Sequence, residues 1–234
     1  MHMMSRLIKK SFRQLREAER VLAYRSIYRK FKDFTMIPES TYIKNLLIAH
    51  RALNQEGCIV ECGVWRGGMI AGIADLLGAS RKYYLFDSFE GLPPAKPIDG
   101  EAALAWQSNE NSPLYHDNNS AKREFAEKAM AMSAATNFEI VKGWFEKTLP
   151  QFTPSAQIAV LRLDADWFDS TLVCLECLSP YMAKKGIIIL DDYYTWDGCS
   201  KAVHYFLSRN ESSMKICRLY GEICVLHNSI LLTE

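Results

Sequence analysis

The sequence has little that would tie it to a membrane or an export route. None of its apolar runs reaches the roughly 18 residues that a bilayer span requires. The opening MHMMSRLIKKSFRQ has no apolar block followed by small residues, so no secretory signal is expected. Seven cysteines, Cys58, Cys62, Cys174, Cys177, Cys199, Cys217 and Cys224, are an odd number in a chain of 234 residues. They fit reduced thiols and a cytoplasmic location better than a disulfide scaffold. Cys174-x-x-Cys177 has no second pair, so it reads as packing rather than zinc ligation. The G-x-G-x-x-G dinucleotide turn and the phosphate loop with its Lys-Ser/Thr are both missing. An apolar content of 49% with 24% charged residues excludes a disordered or fibrous protein. The length suits one domain, or one domain with an appendage.

What the sequence does have is a charge asymmetry. The formal net charge is only +1, yet residues 5–32 hold ten Lys/Arg against two Glu, a net of +8. The rest of the chain therefore carries about −7. Ile8, Phe12, Leu15, Leu22, Ile27 and Phe31 recur at helical steps, so 1–35 reads as a basic amphipathic helical extension. Such a helix suits a solvated covering of the domain, a neighbouring subunit or an anionic membrane. Leu22, Tyr24, Ile27, Tyr28, Phe31 and Phe34 make its second half apolar on more than one face. That favours a protein interface, with a homo-oligomer formed through the helix, over peripheral membrane contact. Nucleic acid is not expected, because no groove-reading motif accompanies the charge.

The remaining chain, 36–234, alternates strand and helix patterns. Strands are expected at 57–62, 82–87, 138–141, 158–164 and 187–191, with helices at 67–77, 121–135, 170–182 and 200–207. A terminal hairpin is expected at 215–219 and 222–227, around Tyr220-Gly221. This order predicts an α/β fold with a mostly parallel sheet and helices on both faces. The segment 91–119 holds Pro93, Pro94, Pro97 and Pro113 and no sustained period. Following the second strand, it reads as a functional lid at the carboxyl edge of the sheet.

Four strands end in acids: Glu61, Asp87, Asp164 and Asp191, the last followed by Asp192. In a parallel sheet these ends share one edge, where clustered like charges repel unless something positive or rich in donors offsets them. The first strand leads into a glycine-rich turn through Gly63, Gly67 and Gly68, which lets a ligand approach the backbone. Glu61 beside it suits a cationic group better than a pyrophosphate. Asp87 stands where an acid accepts ribose hydroxyls. A cationic, phosphate-free nucleoside points to S-adenosylmethionine. Asp164, Asp191 and Asp192, separated by one β–α–β unit, suit a hard cation such as Mg²⁺, with Mn²⁺ or Ca²⁺ as substitutes. Helix capping by the same aspartates is the plainer alternative. Asp166 completes an Asp-x-Asp, a pattern that also occurs in glycosyltransferases.

The segments 61–68 (ECGVWRGG), 87–93 (DSFEGLP), 161–171 (LRLDADWFDST), 187–193 (IIILDDY) and 198–203 (GCSKAV) resemble the macrocin O-methyltransferase family, which methylates sugar hydroxyls. The resemblance runs over about 36–207, with Ala165 standing where glycine is common. It implies the Rossmann-like class I methyltransferase fold, a seven-stranded sheet of order 3-2-1-4-5-7-6, S-adenosylmethionine as donor and Mg²⁺ as cofactor. It also implies that Glu61, Gly63, Val64, Trp65, Gly67, Asp87, Ser88, Gly143 and Trp144 form the donor site, with Trp144 near the adenine. Asp164, Asp191 and Asp192 would hold the metal, with Asp164 as the base, and the acceptor would carry a sugar. His116 in the lid reads as solvated and His204 as structural. Two other classes compete with this reading: an NAD(P)-dependent oxidoreductase, which should show the missing glycine spacing, and a non-enzymatic carbohydrate-binding module, which would not need paired strand-end acids.

Overall fold

The computed structural model describes residues 19–209 and 213–227. Strands β1 (Cys58–Cys62), β2 (Tyr83–Asp87), β3 (Phe138–Lys142), β4 (Ile158–Leu163), β5 (Met182–Leu190), β6 (Lys215–Leu219) and β7 (Ile223–His227) form one sheet of order β3-β2-β1-β4-β5-β7-β6. The first five are parallel, and β7 runs antiparallel between β5 and β6. This is the order implied by the resemblance. β1 and β4 are buried along their whole length, as parallel strands covered on both faces must be.

Side-chain alternation divides the core in two. Ile59, Val160, Ile187 and Ile189 face a layer built from α2 (Glu39–Ala49), α3 (Gly68–Leu77) and α5 (Arg123–Met132). Val60, Cys62, Leu161, Leu163, Ile188 and Leu190 face α7 (Phe168–Leu178) and α8 (Asp197–Arg209), with Phe145 of the single-turn α6 (Phe145–Thr148) packed alongside. α3 is apolar nearly all round because α2 covers its outer side. A Cβ on Gly72 would lie 1.8 Å from the Tyr42 hydroxyl, which donates to the Gly68 carbonyl at 2.7 Å. Only glycine permits that approach.

Several elements differ from the sequence reading, the short α6 among them. α2 was not expected, since its buried face is spread over most of its circumference and leaves no clear stripe. β5 begins at Met182 rather than 187, because Ser179-Pro180 stops α7 early and the chain turns directly into the strand. Segment 91–119 holds α4 (Glu101–Ser108), where Ala103 alone is buried, too little to give a visible period.

Helix α1, described over 19–31, packs on its own domain. Tyr24, Phe31 and Phe34 are buried in the α2–α3 core cluster, and Ile27 and Tyr28 pack against it. Arg25 pairs with Glu39 at 3.1 Å, Lys30 with Asp75 at 2.6 Å, and the Tyr24 hydroxyl meets His50 Nδ1 at 2.6 Å. Much of the apolar surface assigned to a partner subunit is thus used within the fold, though Leu22 stays 64% exposed. The first half of the basic extension lies outside the described residues. Among the described residues, no helix is long and apolar enough to cross a membrane.

Candidate active site

A pocket opens at the carboxyl edge of β1, β2, β3 and β4. Its floor is the turn after β1. Gly63 has φ +81°, and a Cβ there would sit 1.8 Å from the Asp164 carbonyl oxygen, so the turn passes against β4 with no room for a side chain. Trp65 follows with φ +49°, a left-handed conformation that costs energy in a bulky residue. Asp87 at the end of β2 holds it there. Its Oδ2 accepts the backbone N–H groups of Val64 and Trp65 at 2.8 Å each, and its Oδ1 accepts that of Phe89 at 2.7 Å. A carboxylate offers about four acceptor positions, so capacity for a ligand hydroxyl remains. Burial pushes the Asp87 carboxyl up, while the three N–H donors oppose the shift.

Gly63, Trp65, Asp87, Ser88, Gly143 and Trp144 line the pocket, as do Met36, Phe145 and Glu146. Glu61, Val64 and Gly67 do not line it. Glu61 is buried behind the turn, where its Oε2 accepts the Ile70 N–H at 3.1 Å and braces the first turn of α3. The lining has four acids, Asp87, Glu146, Asp164 and Asp166, and no lysine or arginine. That polarity suits a cationic ligand rather than a pyrophosphate.

The positive group that the strand-end acids require is Arg162, next to the last residue of β4. Its buried guanidinium reaches three carboxylates: Glu61 Oε1 at 2.8 Å, Asp164 Oδ2 at 3.0 Å and Asp191 Oδ1 at 2.7 Å. The contact to Asp191 lacks hydrogen-bond alignment and is Coulombic. Nε approaches Asn45 Oδ1 of α2 at 3.4 Å. Burial works against the charged guanidinium, but the three carboxylates outweigh it. Burial raises Glu61 to about 7, with Arg162 pulling the other way.

Beside this network lies a second acidic group. Asp164, Asp166 and Asp192 bring one carboxylate oxygen each to within 4.8 Å of one another. The sequence reading grouped Asp191 with Asp164 and Asp192; here Asp166 takes the third place and Asp191 turns to Arg162. Asp192 Oδ2 accepts the N–H groups of Ala165 and Asp166 at 3.1 and 3.0 Å, and Asp166 Oδ1 accepts Trp196 Nε1–H at 2.9 Å. Burial, then mutual repulsion, pushes Asp166 and Asp192 well up, and burial raises Asp164 despite Arg162. Five neighbouring carboxylates, those of Glu61, Asp164, Asp166, Asp191 and Asp192, thus have one guanidinium among them, and it pairs with three. An all-oxygen donor set with this charge deficit fits a hard divalent cation.

Segment 91–119 is fastened over this edge. Asp99 is buried, and its Oδ1 accepts the Phe168 N–H at 2.7 Å. Trp167 Nε1–H donates to the Pro93 carbonyl at 2.9 Å, and Trp65 Nε1–H to that of Ser120 at 3.1 Å. Trp106 of α4 packs against Trp167 and Trp196, with ring centroids 6.2 and 6.1 Å apart. His116 is exposed, and His204 Nε2 meets the Tyr193 hydroxyl at 2.9 Å. All seven cysteines are free thiols.

Sequence reasoning missed Arg162 and the buried Asp99. Alternation along β4 was the available signal for Arg162, two residues before Asp164 and so on the same face. Asp99 gave none, since acids are ordinary in loops.

Comparison with known proteins agrees with this architecture. Residues 30–224 match the family described as Macrocin-O-methyltransferase (TylF). The 8-demethyl-8-(2,3-dimethoxy-alpha-L-rhamnosyl)-tetracenomycin-C 4'-O-methyltransferase of Streptomyces olivaceus is 33% identical over 183 residues, covering 70% of this chain and 63% of that protein. The mycinamicin III 3''-O-methyltransferase of Micromonospora griseorubida is 31% identical over 171 residues, covering 70% and 65%. The chain thus spans somewhat under two thirds of these relatives' length. The structure of the O-methyltransferase NovP superposes with a TM-score of 0.67 at 25% identity, over 84% of this chain and 82% of that one. The calicheamicin methyltransferase CalS11 shares the fold at 20% identity, with a TM-score of 0.65 over 88% and 91%. With well over half of its length matched by the family and its sheet in the order expected of it, the chain belongs to the macrocin-O-methyltransferase family.

Proposed function

We propose that this protein transfers a methyl group from S-adenosylmethionine to a hydroxyl of a sugar, as part of a glycan or a glycosylated natural product, with assistance from Mg²⁺. The observation that carries the reading is Asp164, which lines the pocket beside the glycine turn and belongs to the acidic cluster as well. A donor site and a hard-cation site thus share one cavity. The names of the relatives support a sugar hydroxyl as acceptor.

In this reading Gly63, Trp65, Asp87, Ser88, Gly143 and Trp144 bind the donor, Asp87 through the ribose and Trp144 by stacking near the adenine. Glu61, Val64 and Gly67 support the turn from behind. Asp164 and Asp192 hold the cation with Asp191, and Asp166 stands as a further carboxylate. Bound there, Mg²⁺ would stabilise the alkoxide that develops on the acceptor. Asp164 takes the hydroxyl proton as the oxygen–carbon bond forms and the carbon–sulfur bond breaks. Residues 36–234 form the methyltransferase domain, with 91–119 as a lid that excludes water and strengthens the field of the acids. The basic extension would contribute a homo-oligomer contact or rest on an anionic membrane through the part preceding α1.

The test is methyl transfer from labelled S-adenosylmethionine to a panel of glycosides, with and without Mg²⁺. Transfer to a sugar hydroxyl supports the reading. Saturable binding of NAD in place of the donor contradicts it.

A further inference from the structure

We infer that Arg162 is a positioning residue for the cation-binding half of the site, an inference that rests on the function proposed above. The parallel register sets Arg162 level with Glu61 on β1 and with Ile189 on β5. Asp164 and Asp191 each lie two residues beyond those levels and on the same face, since side chains alternate along a strand. One guanidinium therefore reaches acids at the ends of β1, β4 and β5 together. It is held from below by Asn45 of α2 and by Glu61, whose other oxygen is fixed by the Ile70 N–H. It then donates a hydrogen bond to one oxygen of Asp164 and holds one oxygen of Asp191 by charge, leaving the rest of their acceptor capacity for a cation. Among the described residues, no other Lys, Arg or His forms an ion pair with Asp164 or Asp191.

Without this fork the carboxylates of Asp164 and Asp191 would repel one another and lose their fixed geometry. The planar arrangement of donors matters as well as the charge. A lysine ammonium is a single point on a flexible stem and cannot meet three carboxylates on three strands at once. Arg162 touches neither a bound cation nor the reacting atoms, because it is shut off beneath the acids. Its influence would be exerted through the orientation of the ligands, and outer partners of this kind change metal affinity by about 10- to 100-fold.

The experiment measures Mn²⁺ and S-adenosylhomocysteine affinities separately by calorimetry in the full chain, in Arg162→Lys and in Asn45→Ala, with a thermal melt of each. Arg162→Lys is expected to bind S-adenosylhomocysteine as the unaltered protein does, and Mn²⁺ at least about tenfold more weakly. Asn45→Ala is expected to weaken Mn²⁺ in the same direction with nucleoside affinity unchanged, although Asn45 touches none of the acids. Unchanged Mn²⁺ affinity in Arg162→Lys, or equal weakening of both ligands, overturns the inference. If Arg162→Lys does not fold, Asn45→Ala decides, and unaltered Mn²⁺ affinity there overturns it. Failure of the unaltered protein to bind Mn²⁺ contradicts the proposed metal site itself, and this inference with it.

Discussion

Glu61 on β1 and Arg162 on β4 are register partners in the parallel sheet, and their side chains meet at 2.8 Å in its interior. The pair is shut off from water, so its formation is no argument for stability, because desolvation of two charges offsets their attraction. Its consequence is geometric. It joins the strand that carries the glycine turn to the strand that carries Asp164, and the acids at the two ends then share one counter-charge.

Asp87 is expected to matter for donor binding beyond its effect on the turn. Asp87→Ala removes the acceptor for Val64, Trp65 and Phe89 and for a ribose hydroxyl together. Affinity for S-adenosylhomocysteine should fall by about 1.5–3 kcal/mol, the range for hydrogen bonds to charged groups. That is roughly a 10- to 150-fold rise in Kd by calorimetry. An unchanged Kd in the folded variant removes Asp87 from the donor site.

The cation ligands can be separated by substitution. Asp191→Asn keeps the shape of the side chain and removes the charge facing Arg162, while Asp166→Asn removes the one facing Trp196 Nε1. The proposed ligand set predicts a large loss of Mn²⁺ affinity in Asp191→Asn, with S-adenosylhomocysteine binding retained in both variants. A loss confined to Asp166→Asn would move the third ligand to the loop. EDTA should abolish methyl transfer, and added Mg²⁺ should restore it.

Helix α1 is part of the folded core. Phe31 is fully buried, so Phe31→Ala should cost about 3–5 kcal/mol in urea denaturation. Leu22, 64% exposed on the same helix, should change stability by less than about 0.5 kcal/mol when replaced by alanine. Equal effects at the two positions would contradict the observed packing.

The seam between α1 and α2 should respond to acid. Burial, then the charge of Arg20, lowers the His50 pKa below its usual 6.5. The folded state therefore favours neutral His50, whose Nδ1 shares a hydrogen bond with the Tyr24 hydroxyl. A depressed pKa contributes stability that is present above 6.5 and is lost as pH falls through the folded value. His50→Gln should flatten that part of the melting-temperature profile between neutral pH and about pH 5, near and below the unperturbed histidine pKa. A profile identical to that of the unaltered protein would exclude His50 as the cause.

The sheet was readable because its strands are short apolar runs ended by acids or followed by glycine, a pattern that survives without any partner in view. GCIVEC, KYYLFD and IAVLRLD are each recognisable alone. Helix α2 was not, because Tyr42, Asn45, Leu46 and Ile48 are buried by neighbours from several directions and leave no single polar face. The acids of the site were visible as strand ends, but their grouping depended on which face each side chain takes. Asp191 and Asp192 are consecutive, and only the fold shows that the first pairs with Arg162 while the second accepts the N–H groups of Ala165 and Asp166. Arg162 was hidden by its type, since an arginine inside an apolar strand gains meaning only when the acids of two neighbouring strands are aligned beside it.

The central claim is that the pocket beside Gly63 and Asp87 binds the S-adenosyl nucleoside of a methyl donor and serves methyl transfer. Calorimetric titration of the full chain with S-adenosylhomocysteine and, separately, with NAD tests it most directly. The account predicts saturable one-site binding of S-adenosylhomocysteine that is weakened by Asp87→Ala, with no saturable binding of NAD. Binding of NAD, or no binding of S-adenosylhomocysteine, would contradict it.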